Sequence, residues 1–261
     1  MTETRDSKAL SKARYTRFAD GYVTSETHAR GSDLDRLLAI AQPQPHWQVL
    51  DIATGGGHTA LKFAPHVAHV IASDLTPRML ETARRFIVED RGVGNVSFEQ
   101  ADAENLPFEE DRFDLVTCRI APHHFPDAQR FVRECARVLK AGGVFLLQDH
   151  ALPLDAEAAR FVDAFERLRD PSHNRAFNER EWRAMFARAG IEVEHSEQYL
   201  KRHDFLSWAR RQGCDDATIA ALIAMLDDAS PSARAWLDPQ GWGREKTTFL
   251  NRHILLRGRV S

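Results

Sequence analysis

Short apolar runs alternate with helical spacing of apolar residues between positions 49 and 148 of the chain. The five apolar runs, each bounded by turn residues, lie at 49–53, 69–73, 96–101, 113–118 and 144–148. Helical patterns follow most of them, up to about residue 64 and then at 78–90 and 129–139. Short continuous apolar strands that alternate with helices predict a parallel sheet covered by helices on both faces.

A glycine pair follows the last of these helical patterns. Gly142 and Gly143 come directly after the letters VLKA, and we expect them to stop the helix and lead into the fifth strand. Two further helices are predicted at 155–168 and 179–189, and Gly190 ends the second of them.

The C-terminal part of the chain mixes strands with short helices. An alternating pattern predicts a strand at 191–200, and the chain ends with another at 247–260. Two or three helical patterns lie between them, at 204–237. We expect these helices to form an insertion at the carboxyl edge of the sheet, where a cap over a substrate would lie. The aromatic residues there that could fill a core or wall an apolar acceptor are Phe205, Trp208, Trp236 and Trp242.

The N-terminal segment, 1–30, is polar, with aromatic residues at Tyr15, Phe18 and Tyr22. A short helix with an apolar face is predicted at 33–41. Because the polar arm has too few apolar residues to pack by itself, we expect residues 1–30 to form a helical lid that orders over a ligand site. Tyr22 and His28 are candidate substrate contacts of this lid. The main domain is expected at 31–261, with the helical insertion at 200–245.

Composition excludes several classes of protein. Of the 261 residues, 43% are hydrophobic and 28% are charged, which argues against disordered and collagen-like chains. The 35 Lys and Arg nearly balance the 38 Asp and Glu, so we expect no nucleic acid partner. Three cysteines without C-x-x-C spacing argue against a disulfide framework and a zinc site. Neither a secretory signal nor an apolar span of about 20 residues is found, so we expect a cytoplasmic protein without stable membrane insertion. A homodimer is left open.

The segment VLDIATGGGHTA, at 49–60, reads as a strand that runs into a glycine cluster and then a helix. Glycines let a ligand approach the backbone closely at the carboxyl end of such a strand. Gly55, Gly57 and Ala60 fit the spacing of a dinucleotide site, although a plain tight turn would also use glycines. Asp74 ends the second strand, roughly 20 residues beyond Gly55, which is the spacing at which a carboxylate could hold ribose hydroxyls. Alternatively, Asp74 caps the helix that begins near Pro77.

The charge of this region discriminates between two kinds of cofactor. Asp51 lies within the motif, and its carboxylate would repel the pyrophosphate of a dinucleotide. S-adenosylmethionine carries a sulfonium and an ammonium and no phosphate, so an edge made of Asp51, Asp74 and Asp102 suits it. A nicotinamide-dependent oxidoreductase that uses Gly55, Gly57 and Asp74 is the alternative within the enzymes.

Four ordered segments carry a family resemblance: VLDIATGGG, SDLTPRML, QADAENLPFEEDRFDLVTCRIAPHHFPD and RVLKAGGVFLLQD. Together they resemble the class I S-adenosylmethionine-dependent methyltransferases, in the branch of the ubiquinone and menaquinone C-methyltransferases and related bacterial small-molecule enzymes. The resemblance covers about residues 30–150. It departs from the family pattern D-x-G-x-G-x-G at Ala53, which replaces the first glycine.

The resemblance implies an α/β fold, a doubly wound and mostly parallel seven-stranded sheet of order 3-2-1-4-5-7-6 with the seventh strand antiparallel. It also implies roles for individual residues, with the loop after the first strand at the methionine half, Asp74 at the ribose and Asp102 with Ala103 at the adenine. The backbone of Arg119 would face the cofactor, whereas its guanidinium could simply pair with a surface carboxylate. The implied cofactor-binding residues are Asp51, Ala53, Thr54, Gly55, Gly57, Asp74, Leu75, Met79, Asp102, Ala103 and Arg119.

The histidines that follow the fourth and fifth strands are candidates for catalysis. His123 and His124 lie where the quinone methyltransferases carry polar side chains, and His150 lies at the same rim. A neutral imidazole can take a proton from a phenol or an activated carbon, although a buried histidine can also be purely structural. His173 is a weaker candidate.

The sequence offers no metal-ligand spacing and no G-x-S-x-G motif, so we expect no metal and no serine hydrolase. The prediction is therefore S-adenosylmethionine-dependent methyl transfer to a small-molecule acceptor, with aromatic and quinone-like acceptors among the candidates and S-adenosylhomocysteine as product. A protein that binds S-adenosylmethionine without turnover is the alternative outside the enzymes.

Overall fold

The computed structural model describes residues 7–17, 32–242 and 246–261. Seven strands form one sheet of order β3-β2-β1-β4-β5-β7-β6, in which β7 runs antiparallel to both of its neighbours and the other pairs are parallel. The predicted fold class and strand order are confirmed. Phe18, Tyr22 and His28 lie outside the described residues. The strands are β1 (Gln48–Ile52), β2 (His69–Asp74), β3 (Val96–Gln100), β4 (Phe113–Arg119), β5 (Leu139–His150), β6 (Ile191–Asp204) and β7 (Thr248–Val260).

Helices surround this sheet at the places where the apolar spacing predicts them. The predicted helix at 78–90 is α-helical only as far as Arg84 and continues as a π-helical segment, Arg85–Glu89. Short 3₁₀ turns lie at Ala64–His66 and Pro122–His124. The α-helices are α1 (7–17), α2 (Ser32–Ala41), α3 (His58–Phe63), α4 (Pro77–Arg84), α5 (Ala128–Val138), α6 (Ala156–Arg169), α7 (Glu179–Arg188), α8 (Phe205–Arg211), α9 (Asp216–Asp227) and α10 (Pro231–Leu237). No helix within these described residues is long and apolar enough to cross a membrane.

Alternation along the central strands gives each face of the sheet its own apolar core. In β5, Phe145 and Leu147 pack on one face with α5 and α7, whereas Val144 and Leu146 pack on the other with α2 and α3. A third core lies around Trp208, between α6 and the helices of the insertion. The central strands are thus buried on both sides, as their continuous apolar runs require.

The insertion between β6 and β7 contains α8, α9 and α10. Because β6 is parallel to β5, its last residue, Asp204, lies at the carboxyl edge of the sheet, where it pairs with Thr248 at the start of β7. The side chain of Asp204 caps α8 by accepting a hydrogen bond from Ser207 N at 2.8 Å. The short helices therefore lie at the edge where the cap was expected.

The glycine pair does not stop a helix, contrary to the expectation above. Helix α5 ends at Val138, and β5 already begins at Leu139. The ladder between β4 and β5 is irregular here: Gly142 has φ +75°, and a Cβ on Gly143 would lie 2.8 Å from Lys140 O. The two glycines therefore permit a kinked start of β5.

One buried carboxylate joins α2 to three strands. Asp33 is fully buried, and its Oδ2 accepts hydrogen bonds from Arg119 Nη2 at 2.7 Å, Lys201 Nζ at 2.8 Å and Gln148 Nε2 at 3.0 Å. Burial alone would raise the pKa of Asp33, but the two cations hold it well below its ordinary value of 3.8. Asp33 is therefore ionised and fixes two cationic side chains at the carboxyl edge of β4 and β6.

We expect Asp33→Ala to lower the free energy of unfolding by about 3–5 kcal/mol, because Arg119 and Lys201 would stay buried without their counterion. Urea unfolding at pH 7 measures this loss. Since the folded-state pKa is depressed, the contribution of Asp33 is present above its unfolded pKa and fades as the pH falls below about 3.8.

Asp35→Ala is the matched control on the same helix, since Asp35 is exposed and pairs with Lys62. A surface ion pair contributes about 0–1 kcal/mol. Equal losses in the two variants would contradict the anchoring role of Asp33.

Candidate active site

A cavity of about 300 Å³ opens at the carboxyl edge of the sheet. At one end it is lined by the loop after β1, by Asp74 and by Asp102. At the other end it is lined by the 3₁₀ turn after β4, by α6 and by β6 and β7. Ligands of open α/β sheets bind in this crevice, where the strand order reverses between β1 and β4.

The loop after β1 takes left-handed backbone conformations. Ala53 has φ +52°, a conformation that costs an L-residue about 1–2 kcal/mol and that the glycine of the family pattern would adopt freely. Gly57, with φ +82°, has no room for a side chain, since a Cβ would lie 2.7 Å from Ile87 Cδ1. A Cβ on Gly55 would meet nothing within 4 Å, so its backbone is open to a ligand. Ala53, Thr54 and Gly55 line the cavity, whereas Gly57 supports the loop from behind.

Asp51 lies beneath this loop and does not line the cavity. Its carboxylate is 1% exposed and accepts hydrogen bonds from the hydroxyls of Thr54 and Thr117, both at 2.6 Å. Burial raises the pKa of Asp51 to about 6. The carboxylate therefore ties the loop to β1 and β4.

Asp74 reaches the cavity directly, next to Leu75 and Met79. Its two carboxylate oxygens accept hydrogen bonds from Gly55 N at 3.0 Å and Thr76 N at 2.9 Å. Burial raises the pKa of Asp74 to about 6. The N-cap of α4 is Thr76, so Asp74 is not the helix cap that the sequence left as an alternative.

Asp102 and Ala103 line the same end of the cavity, and α1 lies across them. Lys8 Nζ contacts Asp102 Oδ2 and Glu104 Oε2, both at 2.7 Å. Three residues of α1 thus reach separate parts of the site, because Arg14 Nε also lies 3.0 Å from Asp170 Oδ1 and Tyr15 OH lies 2.6 Å from His124 Nε2. One helix therefore contacts both Asp102 at one end of the cavity and His124 at the other.

The guanidinium of Arg119 does not pair with a surface carboxylate, contrary to that alternative. It is 6% exposed and bonds to the buried Asp33. Arg119, the last residue of β4, also lines the cavity. The next residue, Ile120, takes φ +54°, which is strained for a β-branched residue.

His123 is buried in the 3₁₀ turn after β4 and faces the cavity. Its Nδ1 lies 2.6 Å from Oδ1 of Asp149, a fully buried carboxylate. Because a carboxylate accepts, Nδ1 carries the hydrogen and Nε2 keeps the lone pair. Burial would lower the pKa of His123, but the charge and hydrogen bond of Asp149 outweigh it and raise this pKa above 6.5.

Other imidazoles crowd around His123. Its ring centroid lies 4.1 Å from that of His124, 4.4 Å from His150 and 5.2 Å from His173. Burial and the charge of His123 lower the pKa of His124 to about 3, and they hold that of His150 well below 6.5. Protonation of this cluster is therefore directed to the ring that Asp149 supports.

One nitrogen each of His123, His150 and His173 lies within 4.8 Å of the others, and within the described part of the chain this is the only such group that could hold a cation. The ring of His123 is, however, tilted by only 24° and 28° from the other two. Lone pairs lie in the ring planes, so nearly parallel stacked rings do not aim at one point. Spacing along the sequence could not reveal the group, since its members come from three distant segments.

Sequence reasoning missed several residues of the histidine end. The clearest are Asp149, Glu166, Lys201, His203 and His253. The alternation of β6 and β7 contained a signal, since polar residues at 201 and 203 and at 251 and 253 share a strand face. Of the aromatic residues predicted as a wall, Trp208 lines the cavity, whereas Phe205 lies in the third core.

Comparisons with known proteins agree with this geometry. A family model described as a methyltransferase domain matches residues 50–147. The chain is 41% identical over 220 residues to the uncharacterized methyltransferase YcgJ of Bacillus subtilis (strain 168), which is 84% of this chain and 87% of that protein. The crystal structure of YcgJ superposes with a TM-score of 0.83 at 39% identity and covers 87% of this chain and 97% of that one.

A shorter match is to the ubiquinone/menaquinone biosynthesis C-methyltransferase UbiE of Pseudomonas putida (strain GB-1). It is 38% identical over 122 residues, which is 45% of this chain and 47% of that protein. The sheet order and the loop after β1 define the methyltransferase version of the doubly wound fold. The chain belongs to the class I S-adenosylmethionine-dependent methyltransferases. Neither the nicotinamide alternative nor binding without turnover is favoured by these matches.

Proposed function

We propose that the protein methylates a small aromatic acceptor whose hydroxyl or activated carbon loses a proton to His123. The observation that carries this proposal is that the His123–Asp149 pair and the loop after β1 belong to one cavity. Trp208, Tyr15 and Phe125 in the lining support an acceptor with a flat ring.

The residues at the loop end fit S-adenosylmethionine. Gly55 leaves backbone open to the methionine half, Asp74 would accept from the ribose hydroxyls, and Asp102 with Ala103 would contact the adenine edge. Leu75 and Met79 would flank the nucleoside with apolar surface. When bound, the cofactor supplies an electrophilic methyl group on a sulfonium, and a neutral thioether leaves.

At the other end, His123 would act as the proton acceptor. Asp149 holds Nδ1–H, so the lone pair of Nε2 is available and the imidazolium that forms is stabilised by a buried carboxylate. His124 and His150 remain second candidates. Their lowered pKa values keep them neutral, so they suit positioning of the acceptor better than proton uptake at pH 7. Alignment of acceptor and methyl group in a buried cavity supplies the rest of the acceleration.

Residues 1–30 are proposed as the lid, with 31–261 as the catalytic domain. The contacts of Lys8, Arg14 and Tyr15 support this role, because they reach both ends of the cavity. Lys8 would have to exchange its bond to Asp102 when an adenine amino group arrives.

We expect S-adenosylhomocysteine to bind with micromolar affinity, about −8 kcal/mol, and NAD to show no comparable binding.

Asp74→Asn should weaken the binding of S-adenosylhomocysteine by about 10- to 100-fold, because the charge-assisted bonds to the ribose are lost. The pKa of Asp74 in the protein without ligand is about 6, and ribose hydroxyls favour its ionised form. The affinity of the wild-type protein for S-adenosylhomocysteine should therefore rise with pH up to about 6 and then level off. Calorimetry between pH 5 and pH 8 measures both effects. If Asp74→Asn binds S-adenosylhomocysteine with the wild-type pH profile, Asp74 is not the ribose-binding carboxylate. If NAD binds as tightly as S-adenosylhomocysteine, the cofactor assignment is wrong.

Amide hydrogen exchange in residues 7–17 should slow when S-adenosylhomocysteine saturates the protein, because α1 would close over it. Mass spectrometry of peptides from this helix tests the lid, with peptides from α9, which does not line the cavity, as the internal control. Unchanged exchange in α1 would remove the lid role and leave the cofactor site intact.

His123→Gln should lower kcat by about 100-fold or more and change S-adenosylhomocysteine affinity by less than a few fold. A base must be neutral, so wild-type kcat should rise with pH through a value above 6.5. Asp149→Asn removes the charge that raises this pKa, so it should move the rise to lower pH. The assay measures the S-adenosylhomocysteine that forms when S-adenosylmethionine is supplied together with each member of a panel of phenols and quinols.

His69→Gln is the control, because His69 bonds to Ser97 on β3 away from the cavity and should leave both kcat and its pH profile unchanged. Added EDTA should also leave kcat unchanged. A full-rate His123→Gln enzyme would show that the histidine is structural, and a loss of rate with EDTA would favour a cation at the histidine cluster.

A further inference from the structure

A second polar wall of the cavity lies on β6 and β7. Lys201 and His203 share one face of β6, and Asn251 and His253 share the same face of β7. The pairs Lys201–Asn251 and His150–His253 are direct cross-strand neighbours. This wall therefore continues the histidine cluster around His123 without a break.

Positive charge exceeds negative charge behind this wall. Arg119 and Lys201 both bond to Oδ2 of Asp33, so two cations share one carboxylate. Their side chains are only 6% and 12% exposed, so water screens them weakly. The single carboxylate leaves this trio with one uncompensated positive charge, and an uncompensated charge is costly to bury.

The imidazole of His203, next to Lys201 on the same face of β6, lies in the same positive electrostatic field. Burial, together with the nearby cations Arg211, Arg169 and Lys201, lowers the pKa of His203 to about 3. Lys201 itself has a pKa of about 8, because burial, Arg119 and Arg211 outweigh Asp33. Glu166 lines the cavity 3.8 Å from Nδ1 of His150, and its pKa is raised by burial, so it opposes an anion less than an exposed glutamate would.

We propose that Lys201, with His203 beside it, forms a subsite that binds a carboxylate of the molecule held in this cavity. An anion there would neutralise the Asp33–Arg119–Lys201 trio and accept a hydrogen bond from the Lys201 ammonium. The proposal rests on the proposed function, since the carboxylate belongs either to the aromatic acceptor or to the methionine half of the cofactor. With an acceptor carboxylate, the substrate class becomes hydroxylated aromatic acids.

Two ligand pairs distinguish the sources of the carboxylate. S-adenosylhomocysteine carries an amino acid chain, with its carboxylate and ammonium, where 5′-methylthioadenosine carries a methyl group. The second pair, 4-hydroxybenzoate and 4-hydroxybenzamide, differs by the charge on one substituent. Calorimetry on the full chain would use wild type, Lys201→Met, the charge-conserving Lys201→Arg and the control Lys62→Met, which alters an exposed pair outside the cavity.

Lys201→Met should weaken the carboxylate member of one pair by about 10- to 100-fold, and its neutral partner by less than 3-fold. Lys201→Arg should restore most of the affinity, and Lys62→Met should match wild type. Selective loss of S-adenosylhomocysteine assigns the site to the cofactor, and selective loss of 4-hydroxybenzoate assigns it to the acceptor.

The proposal is overturned if Lys201→Met keeps wild-type affinity for both carboxylates, or if it weakens charged and neutral ligands alike. Thermal unfolding of each variant without ligand separates these results from a folding defect, because Asp33 keeps Arg119 as a partner in Lys201→Met. Failure of wild type to bind S-adenosylhomocysteine would instead overturn the proposed function.

Discussion

A single carboxylate oxygen organises the carboxyl edge of this sheet. Oδ2 of Asp33 receives donors from β4, β5 and β6, three strands that do not all touch one another. The pairing fixes α2 against the sheet and sets the direction of Arg119 and Lys201. Because these ion pairs lie in a low-dielectric interior, the attraction between Asp33 and the two cations is strong. It holds Arg119 and Lys201 in place where they line the cavity.

The histidine end depends on a different constraint, which is competition for charge. Three imidazoles lie within about 5 Å of that of His123, and such a buried group cannot be protonated on every ring. Asp149 favours the charged form of His123, whereas burial and the charge of His123 lower the pKa of His124 and of His150. His123 is therefore the ring of these three that most readily takes up a proton.

The part of the chain that ends with β5 was the most predictable, because apolar runs such as 144–148 are buried on both sides and leave a strong pattern. The glycine loop and Asp74 were predictable for the same reason, since the ligand edge follows from where β1 and β2 end. Gly142 and Gly143 were misassigned, because a glycine pair serves a helix end and a kinked strand equally well. The motif that contains Asp51 was found in the sequence, but the contacts of Asp51 were not predicted. Its carboxylate accepts hydrogen bonds from Thr54 and Thr117 and so holds the loop from beneath.

The residues around His123 were not predicted, although the family resemblance implied the order of β5, β7 and β6. A strand order does not show which side chains face one cavity, and Asp149, Glu166 and Lys201 come from three distant segments of the chain. The polar alternation at 201 and 203 was visible in the sequence, but it reads equally well as an exposed strand face. In the folded protein this face lines the cavity, because Asp33 of α2 bonds to Lys201 and the insertion places Trp208 beside it.

Helix α1 touches Asp102 through Lys8 and His124 through Tyr15, so the two ends of the cavity share one cover. If α1 is the lid proposed above, such a cover would not admit a cofactor and an acceptor independently. Loosening its contact at Asp102 would also weaken its hold at His124, so the ligands would enter and leave in a fixed order. The rate at which one rigid helix detaches would then set the pace of product escape, whatever the speed of the chemical step.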